Sequence, residues 1–457
     1  MGLESIILQE LEDSGQSQIA RHLRTLALGA RERLALQLSR FDYQLVRTLS
    51  REARERTAPQ PPKLNGPAPV VPANRAEEKL TEARRLGAEA IERGDVAVLI
   101  VAGGQGTRLR YDGPKGCYPI GPVSRRTLFQ IHADKIRAAE QRYMTEIPFY
   151  VMTSETNDAE VRRYFQQNSF LGLDPTDVCF CVQRSIPAFD PQGRFLLDAP
   201  DHVFVNPDGH GGAFHALDSS GALDDMERRG VQCISCFQVD NPLVPILDPL
   251  FIGEHVRARS EMSSKALPKR DPLEKLGIFA LVSGRTQVVE YSELTDDLLR
   301  AARPDGSLLY RFGSIAVHLI DVEFARRMAA ADLPFHPARK TVPSLDEQGR
   351  PTRPDQPNAV KFEHFIFDAI PLARNPLVLE VRREDEFAPV KNLSGEDSPE
   401  TARAAMIAQH RRWLRQAGLD VPEDQPIEIS PLFALDPGEL QAKAPAIHLA
   451  PGPIYLA

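Results

Sequence analysis

The sequence is short of three things, and each shortage narrows its function. No apolar run approaches the ~20 residues needed to cross a bilayer, and the amino terminus has no basic segment leading into a signal-type core. A cytoplasmic protein without a membrane partner is the expectation. Positive charge is not in excess: 55 Lys and Arg against 63 Asp and Glu leave a formal net charge of −8. That balance argues against nucleic acid or an anionic membrane as the main partner, while leaving room for a small anion gripped by a few cations. Cysteine is scarce as well, five in 457 residues, as suits a reducing compartment. Cys233 and Cys236 have the spacing of half a zinc site, but they lie in the strand-like run 231–239, where side chains three apart point to opposite faces. They are expected to be core thiols, as are Cys179 and Cys181.

What is present is an ordinary globular composition, 42% hydrophobic and 26% charged. The length exceeds what one core usually serves, so two or three domains around a large central one are expected, with boundaries at 1–92, 93–394 and 395–457. Residues 4–56 carry Leu23, Leu26, Leu34 and Leu38 at helical intervals and predict two or three helices. Prolines at 59, 61, 62, 67, 69 and 72 turn 57–72 into an extended strap, and helix returns over 76–92. Strands and helices then alternate, predicting an α/β fold whose central, mainly parallel sheet is flanked by helices. Helix returns over 399–417, and a proline-punctuated tail with alternating apolar residues, 427–457, reads as a small β-rich terminal part.

The chemistry centres on Val96–Lys115. Val96–Val101 is wholly apolar and largely β-branched, the pattern of a strand covered on both faces. Ala102, Gly103, Gly104, Gln105 and Gly106 follow; glycines there admit positive φ and close approach of a ligand, and aim successive N–H groups at phosphate oxygens. Arg108 and Lys115 add two cations around an Asp112-Gly113-Pro114 turn, and Ser124 and Thr127 announce a helix with Leu128, Ile131 and Ile136 on its apolar face. The dinucleotide fingerprint fails, because Leu109 stands where a third small residue is needed, and no glycine–lysine pair has the spacing of a Walker A loop. A polyphosphate cradle is the functional reading of this stretch, and a tight glycine turn without a ligand the plain one.

Further candidates follow along the chain. Phe149–Thr153 and Val178–Val182 read as the next two strands, the latter ending at Gln183, which by itself is a plain surface residue. Asn206-Pro-Asp-Gly-His-Gly-Gly-Ala213 is a second glycine loop, either a long turn or a ligand loop, with Gly209 and His210 at its centre. The run 231–239 feeds Asp240-Asn241-Pro242, placing a carboxylate at the carboxyl end of a buried strand, where it can hold Mg²⁺ together with phosphate oxygens, or cap a helix.

These runs, together with Pro114-Lys115-Gly116 and Ser124–Ile131, resemble the UTP-dependent sugar-1-phosphate uridylyltransferases, and among them the UDP-N-acetylhexosamine pyrophosphorylase branch, over roughly residues 34–431. The resemblance implies a Rossmann-like, GT-A-like nucleotidyltransferase domain, with UTP and a sugar-1-phosphate as substrates, pyrophosphate as product and Mg²⁺ as cofactor. It implies that Arg108, Lys115 and Lys391 are catalytic cations and that Ala102, Gly103, Gly104, Lys115, Gln183, Gly209, Asp240 and Lys361 meet the nucleotide. It implies that His210, Gly277, Glu290, Ser314 and Lys391 meet the sugar, with the hairpin 277–293 and the Gly313–His318 motif among the sugar-binding parts, and that the runs around Lys361 and Lys391 contact phosphate. Two positions depart from the pattern: His210 and Ser314 both replace asparagine. Glucose-1-phosphate therefore stays in play as the acceptor, and a UDP-glucose or broad UDP-sugar enzyme is the alternative within the same chemistry. A nucleotide-sugar-binding regulator without catalysis is the alternative outside it. Nucleotidyl transfer between two polyanions needs charge neutralisation rather than a general base, so His132, His255 and His318 are assigned to structure.

Overall fold

Val96–Val101 can be apolar throughout because it is an inner strand with neighbours on both sides. A computed structural model of the chain describes residues 3–55, 62–346, 349–449 and 452–457. They gather into two units: Met1–Gln60, Arg184–Gly212 and Leu333–Ile366 form one, and Pro61–Gln183, Ala213–Asp332 and Phe367–Ala457 the other. This grouping differs from the three consecutive stretches expected from sequence. Two internal segments, 184–212 and 333–366, leave the central stretch because their apolar residues share a core with the amino-terminal helices, Phe189, Phe195 and Phe362 packing with Leu11, Leu23, Leu34 and Leu38.

The larger unit is built on ten strands: β1 (Leu64–Pro67), β2 (Val96–Val101), β3 (Phe149–Ser154), β4 (Val178–Gln183), β5 (Cys233–Gln238), β6 (Met262–Pro268), β7 (Ile278–Val282), β8 (Arg285–Val289), β9 (Phe312–Asp321) and β10 (Leu377–Glu380). Their order is β1-β7-β9-β5-β2-β3-β4, with β6 pairing β9 and β10, and β8 pairing β7. Strands β5, β2, β3 and β4 run parallel, whereas β9 is antiparallel to β5, β6 and β7, so the sheet is mixed. Register places Val101 opposite Gln238 and Met152, and Ser154 opposite Gln183, so the residues after all four parallel strands emerge at one edge. That carboxyl edge is where open α/β sheets bind ligands.

Local signals were good guides to most elements. Thr127 caps the helix Leu128–Tyr143 by accepting from the Gln130 N–H, and Ser398 with Thr401 forms a capping box ahead of Pro399–Gln416. The described part of the proline-rich strap is extended, Leu64–Pro67 pairing with β7; residues 57–61 of that expectation lie outside the described residues. Four amino-terminal helices form rather than two or three: Leu3–Asp13, Ser17–Thr25, Leu28–Leu38 and Tyr43–Arg54. Cys181, Cys233 and Cys236 are buried thiols as expected, Cys117 is buried as well, and Cys179, on the edge strand β4, is half-buried.

The tail departs from expectation. Among the described residues of 395–457 lie the helices Pro399–Gln416 and Pro437–Lys443, and only Ile427–Ile429 and Ile454–Leu456 pair as strands, so this part is mainly helical rather than β-rich. The alternation of apolar residues at 427–429 is too short to build more than one ladder.

One contact beside the sheet is decided by glycine. Helices Glu77–Glu92 and Pro249–Ala258 cross where Gly87 faces the Pro249 carbonyl and Gly253 faces the Ala83 carbonyl, and a Cβ on either would run into that oxygen. The clash is with backbone, which cannot swing away as a side chain can. Gly253→Ala should therefore cost about 1–3 kcal/mol of stability, as overpacking does, read as a lower urea midpoint with an unchanged slope; an unchanged midpoint would show that the helices can separate freely.

Candidate active site

The loop after β2 is shaped by where its carbonyls go. The Ala102 carbonyl accepts from Asn157 Nδ2 (2.9 Å), the Gly103 carbonyl from Ser154 Oγ (2.9 Å) and the Gly104 carbonyl from the Lys115 N–H (3.1 Å). In a trans peptide the N–H points opposite to the C=O of the same plane. With these carbonyls taken, the N–H groups of Gly103, Gly104 and Gln105 each face away from the partner that holds the carbonyl of the same plane, which suits an anion cradle. Asn157, buried and itself fixed by the Ser154 N–H, is the residue that sequence reasoning missed. It carried no signal beyond that of a polar helix start.

Why glycine is needed here differs from expectation. Gly103, Gly104 and Gly106 do not adopt positive φ; of the loop, only Gly113 (φ 134°) and Arg110 (φ 52°) do. The requirement is space: a Cβ on Gly103 would lie 2.5 Å from Gln183 Oε1, and one on Gly106 would press on Tyr111. Gln183 is thus buried at the end of β4 and packed against the cradle rather than exposed on the surface.

Around the cradle, Lys115 Nζ donates to Asp240 Oδ2 at 3.0 Å, joining the loop to the end of β5. Arg108, in the turn Thr107–Leu109, is exposed and forms no ion pair among the described residues. Lys391 follows Val390, whose N–H donates to the Asp240 carbonyl at 2.9 Å, so backbone bonding brings its segment to Asp240. The N–H groups of Lys391 and Asn392 donate to the Asp397 carbonyl. Burial pushes the half-buried Asp397 carboxyl up; Lys391 opposes that shift and Asp240 adds to it, which places all three charges within reach of one another.

A second group forms at the β7–β8 hairpin of the same unit. The Ser314 N–H donates to the Gly277 carbonyl (2.8 Å), and a Cβ on Gly277 would lie 3.1 Å from Glu290 Oε1. The three residues expected to meet a sugar there are thus neighbours.

Gly209, His210 and Lys361 belong to the smaller unit. Asp208, fully buried, pairs with Arg184 (3.3 Å), while Gly209 takes φ 85° and lies against the His364 carbonyl. His210 stacks on Phe365 and accepts from the Ile366 N–H through Nδ1 (3.1 Å); burial, with His336 nearby, pushes it down to about 4. It is a neutral imidazole at pH 7. Lys361 lies over the Phe204 ring at 4.8 Å, with its pKa lowered by burial.

The three histidines assigned to structure are buried in frameworks. His132 Nε2 meets the Val239 carbonyl (3.1 Å), His255 lies between Ser263 (2.8 Å) and Asp321 (2.9 Å), and His318 meets Ser264 (2.9 Å). No helix among the described residues is long and apolar enough to cross a membrane. No group of three or more His, Cys, Asp or Glu among them could hold a metal by itself. A hard cation on Asp240 would complete its shell from phosphate oxygens and water, which suits Mg²⁺ better than a metal needing a protein cage.

The sequence model of the UTP–glucose-1-phosphate uridylyltransferase family matches residues 51–443. The chain is 39% identical over 439 residues to human UDP-N-acetylhexosamine pyrophosphorylase-like protein 1, covering 92% of this chain and 87% of that one. It is 39% identical over 366 residues to the UDP-N-acetylglucosamine pyrophosphorylase of Saccharomyces cerevisiae, covering 77% of this chain and 76% of that one. The crystal structure of the uridine diphosphate N-acetylglucosamine pyrophosphorylase from Trypanosoma brucei, solved with an inhibitor, superposes with a TM-score of 0.84 at 28% identity, covering 100% of this chain and 98% of that one.

Burial also sets a pH dependence. It pushes His132 down to about 3 and His410 down to about 4, from an ordinary 6.5. At these two sites the unfolded chain binds more protons below pH 6.5, so the stability they contribute is full above that pH and is lost as pH falls toward 4. Glu386, pushed up to about 7 by desolvation, opposes this in part, because its protonation favours the fold. The melting temperature should drop steadily over this window, with a shallower drop in His132→Gln, which can keep a donor to Val239; a profile equally steep in the variant would remove His132 from the account.

Proposed function

The chain belongs to the UTP–glucose-1-phosphate uridylyltransferase family, and from that premise we propose that it joins UTP to N-acetylglucosamine-1-phosphate, or a related N-acetylhexosamine-1-phosphate, with release of pyrophosphate. The observation that supports this most is the meeting of loop amides, Lys115, Asp240 and the Lys391 segment at one sheet edge. In the reaction an oxygen of the sugar phosphate forms a bond to the α-phosphorus of UTP as the bond from that phosphorus to pyrophosphate breaks. The attacking phosphate is already deprotonated near neutral pH, so no base is required, and repulsion between the two polyanions is the barrier to lower.

In this reading the amides of Gly103, Gly104 and Gln105, with Arg108, face the β- and γ-phosphates, and Lys115 faces the α-phosphate. The Gly106 N–H is already taken by the Gly113 carbonyl (2.9 Å) and the Ala102 N–H by the Met152 carbonyl (2.8 Å), so Gly106 gives room rather than a donor and Ala102 has no amide to offer the nucleotide. Lys391 meets the sugar phosphate. Gln183, packed on Gly103, is assigned to the uracil by family resemblance. Asp240 is the residue to hold Mg²⁺, which when bound supplies further neutralisation of phosphate charge. Gly277, Glu290 and Ser314 meet the sugar hydroxyls. Gly209, His210 and Lys361 are assigned to base, sugar and phosphate by family resemblance. The setting is a reducing, cytoplasmic one, which five free cysteines suit.

Glucose-1-phosphate as acceptor is the second reading, favoured by His210 and Ser314, which replace the amides that the N-acetylhexosamine branch carries. A serine hydroxyl cannot bridge two groups as an amide can. A panel of sugar-1-phosphates with UTP and magnesium, followed by pyrophosphate release, decides between them; higher kcat/KM for glucose-1-phosphate would overturn the first. In the same assay Arg108→Ala and Lys391→Ala should each lower turnover on the order of 10²–10³ without loss of fold, and near-normal turnover would dismiss their roles. Chelation with EDTA should abolish turnover, and added Mg²⁺ should restore it; activity undiminished by EDTA would remove the metal from the scheme.

A further inference from the structure

Two segments deliver the charges of the proposed chemistry, 238–245 with Asp240 and 383–391 with Lys391, and neither Asp240 nor Lys391 lies in a strand. One buried side chain joins them. Asn241, 4% exposed, donates through Nδ2 to the Glu386 carbonyl (2.7 Å) and accepts through Oδ1 from the N–H groups of Ala388 (3.1 Å) and Leu243 (3.3 Å). The bond from Val390 to the Asp240 carbonyl runs beside these at 2.9 Å. A planar amide donates and accepts at once, so it can stand in for the strand partner that residues 387–391 do not have.

Each segment has its own anchors, and Asn241 sets one against the other. Lys135 Nζ, on the helix Leu128–Tyr143, donates to the carbonyls of Pro242 (2.6 Å) and Val244 (2.7 Å), which ties the Asp240 side to the framework independently of Asn241. On the other side, Phe387–Lys391 is irregular backbone: Phe387 and Val390 are buried in the core, Lys265 pairs with Glu386 (2.7 Å) and the Lys391 N–H donates to the Asp397 carbonyl, while the Asn241 amide and the Val390 bond set its register against the Asp240 segment. Loss of Asn241 should therefore shift the Ala388–Lys391 backbone relative to Asp240, while the core packing of Phe387 and Val390 keeps the segment folded.

We infer that Asn241 is a positioning residue for the transfer reaction, fixing the Lys391 segment against Asp240 without touching substrate. This rests on the reading of Asp240 and Lys391 given above. Its signature is dependence: Lys391 contributes fully only when Asn241 holds its backbone, so their losses should not multiply.

The test is a double-mutant cycle on the full chain with UTP, Mg²⁺ and N-acetylglucosamine-1-phosphate. Asn241→Ala should lower kcat by about tenfold or more while the KM for UTP stays within about twofold, because the glycine loop is untouched. Lys391→Ala should cost on the order of 10²–10³ in the natural background, but about tenfold or less on top of Asn241→Ala. Hydrogen exchange should quicken at Ala388 and Val390 and stay unchanged along β5. Asn241→Asp keeps the shape and the acceptor but loses the donor, and it carries the same cycle if the alanine variant does not fold. Losses that multiply, or an Asn241→Ala enzyme with natural turnover, overturn the inference while leaving the proposed function in place. An unaffected Lys391→Ala enzyme overturns both the site reading and the inference built on it.

Discussion

Peptide planarity is the constraint on which the site depends. A loop can present several N–H groups in one direction only if the carbonyls of the same planes are satisfied in the other, and here Asn157, Ser154 and the Lys115 amide take them. The cradle is therefore made by residues behind it as much as by its glycines. Glycine supplies room, with Gln183 filling the space that a Cβ at residue 103 would occupy.

Sheet register does the rest of the gathering. Parallel pairing of β5, β2, β3 and β4 sends the glycine loop, Gln183 and Asp240 out at a common edge although they are far apart in sequence. Asp240 then sits beside Lys115 and the backbone that leads to Lys391, so charges of both signs are within a few ångströms in the protein alone. A site that must bring two polyanions together benefits from cations already held in place, because ordering them costs nothing further when substrate arrives.

Much of this was legible in the sequence, for identifiable reasons. A wholly apolar, largely β-branched run bounded by Asp95 and Gly103, such as Val96–Val101, has the pattern of an inner strand, and a threonine ahead of Leu128 is a cap by its side-chain chemistry. Gly277, Glu290 and Ser314 were grouped from family likeness, and the β7–β8 hairpin brings them together. What could not be read are the roles set by distant partners. Asn157 and Asn241 look like any polar residue after a strand until the carbonyls they serve are known. The segments 184–212 and 333–366 join the amino-terminal helices through a shared apolar core, which no local periodicity announces. Periodicity also overstated the tail, because alternation over three residues cannot tell one short ladder from a sheet.

The Lys115–Asp240 pair, at 3.0 Å, means that each of these charges already has a counter-ion before any ligand is present. An incoming anion that recruits the ammonium leaves the carboxylate bare, and an incoming cation that recruits the carboxylate leaves the ammonium bare. Capture of one therefore raises the affinity for the other by the same factor, since linkage is reciprocal. A single internal pair that must be split is thereby a device for coupling the loading of opposite charges through side chains alone.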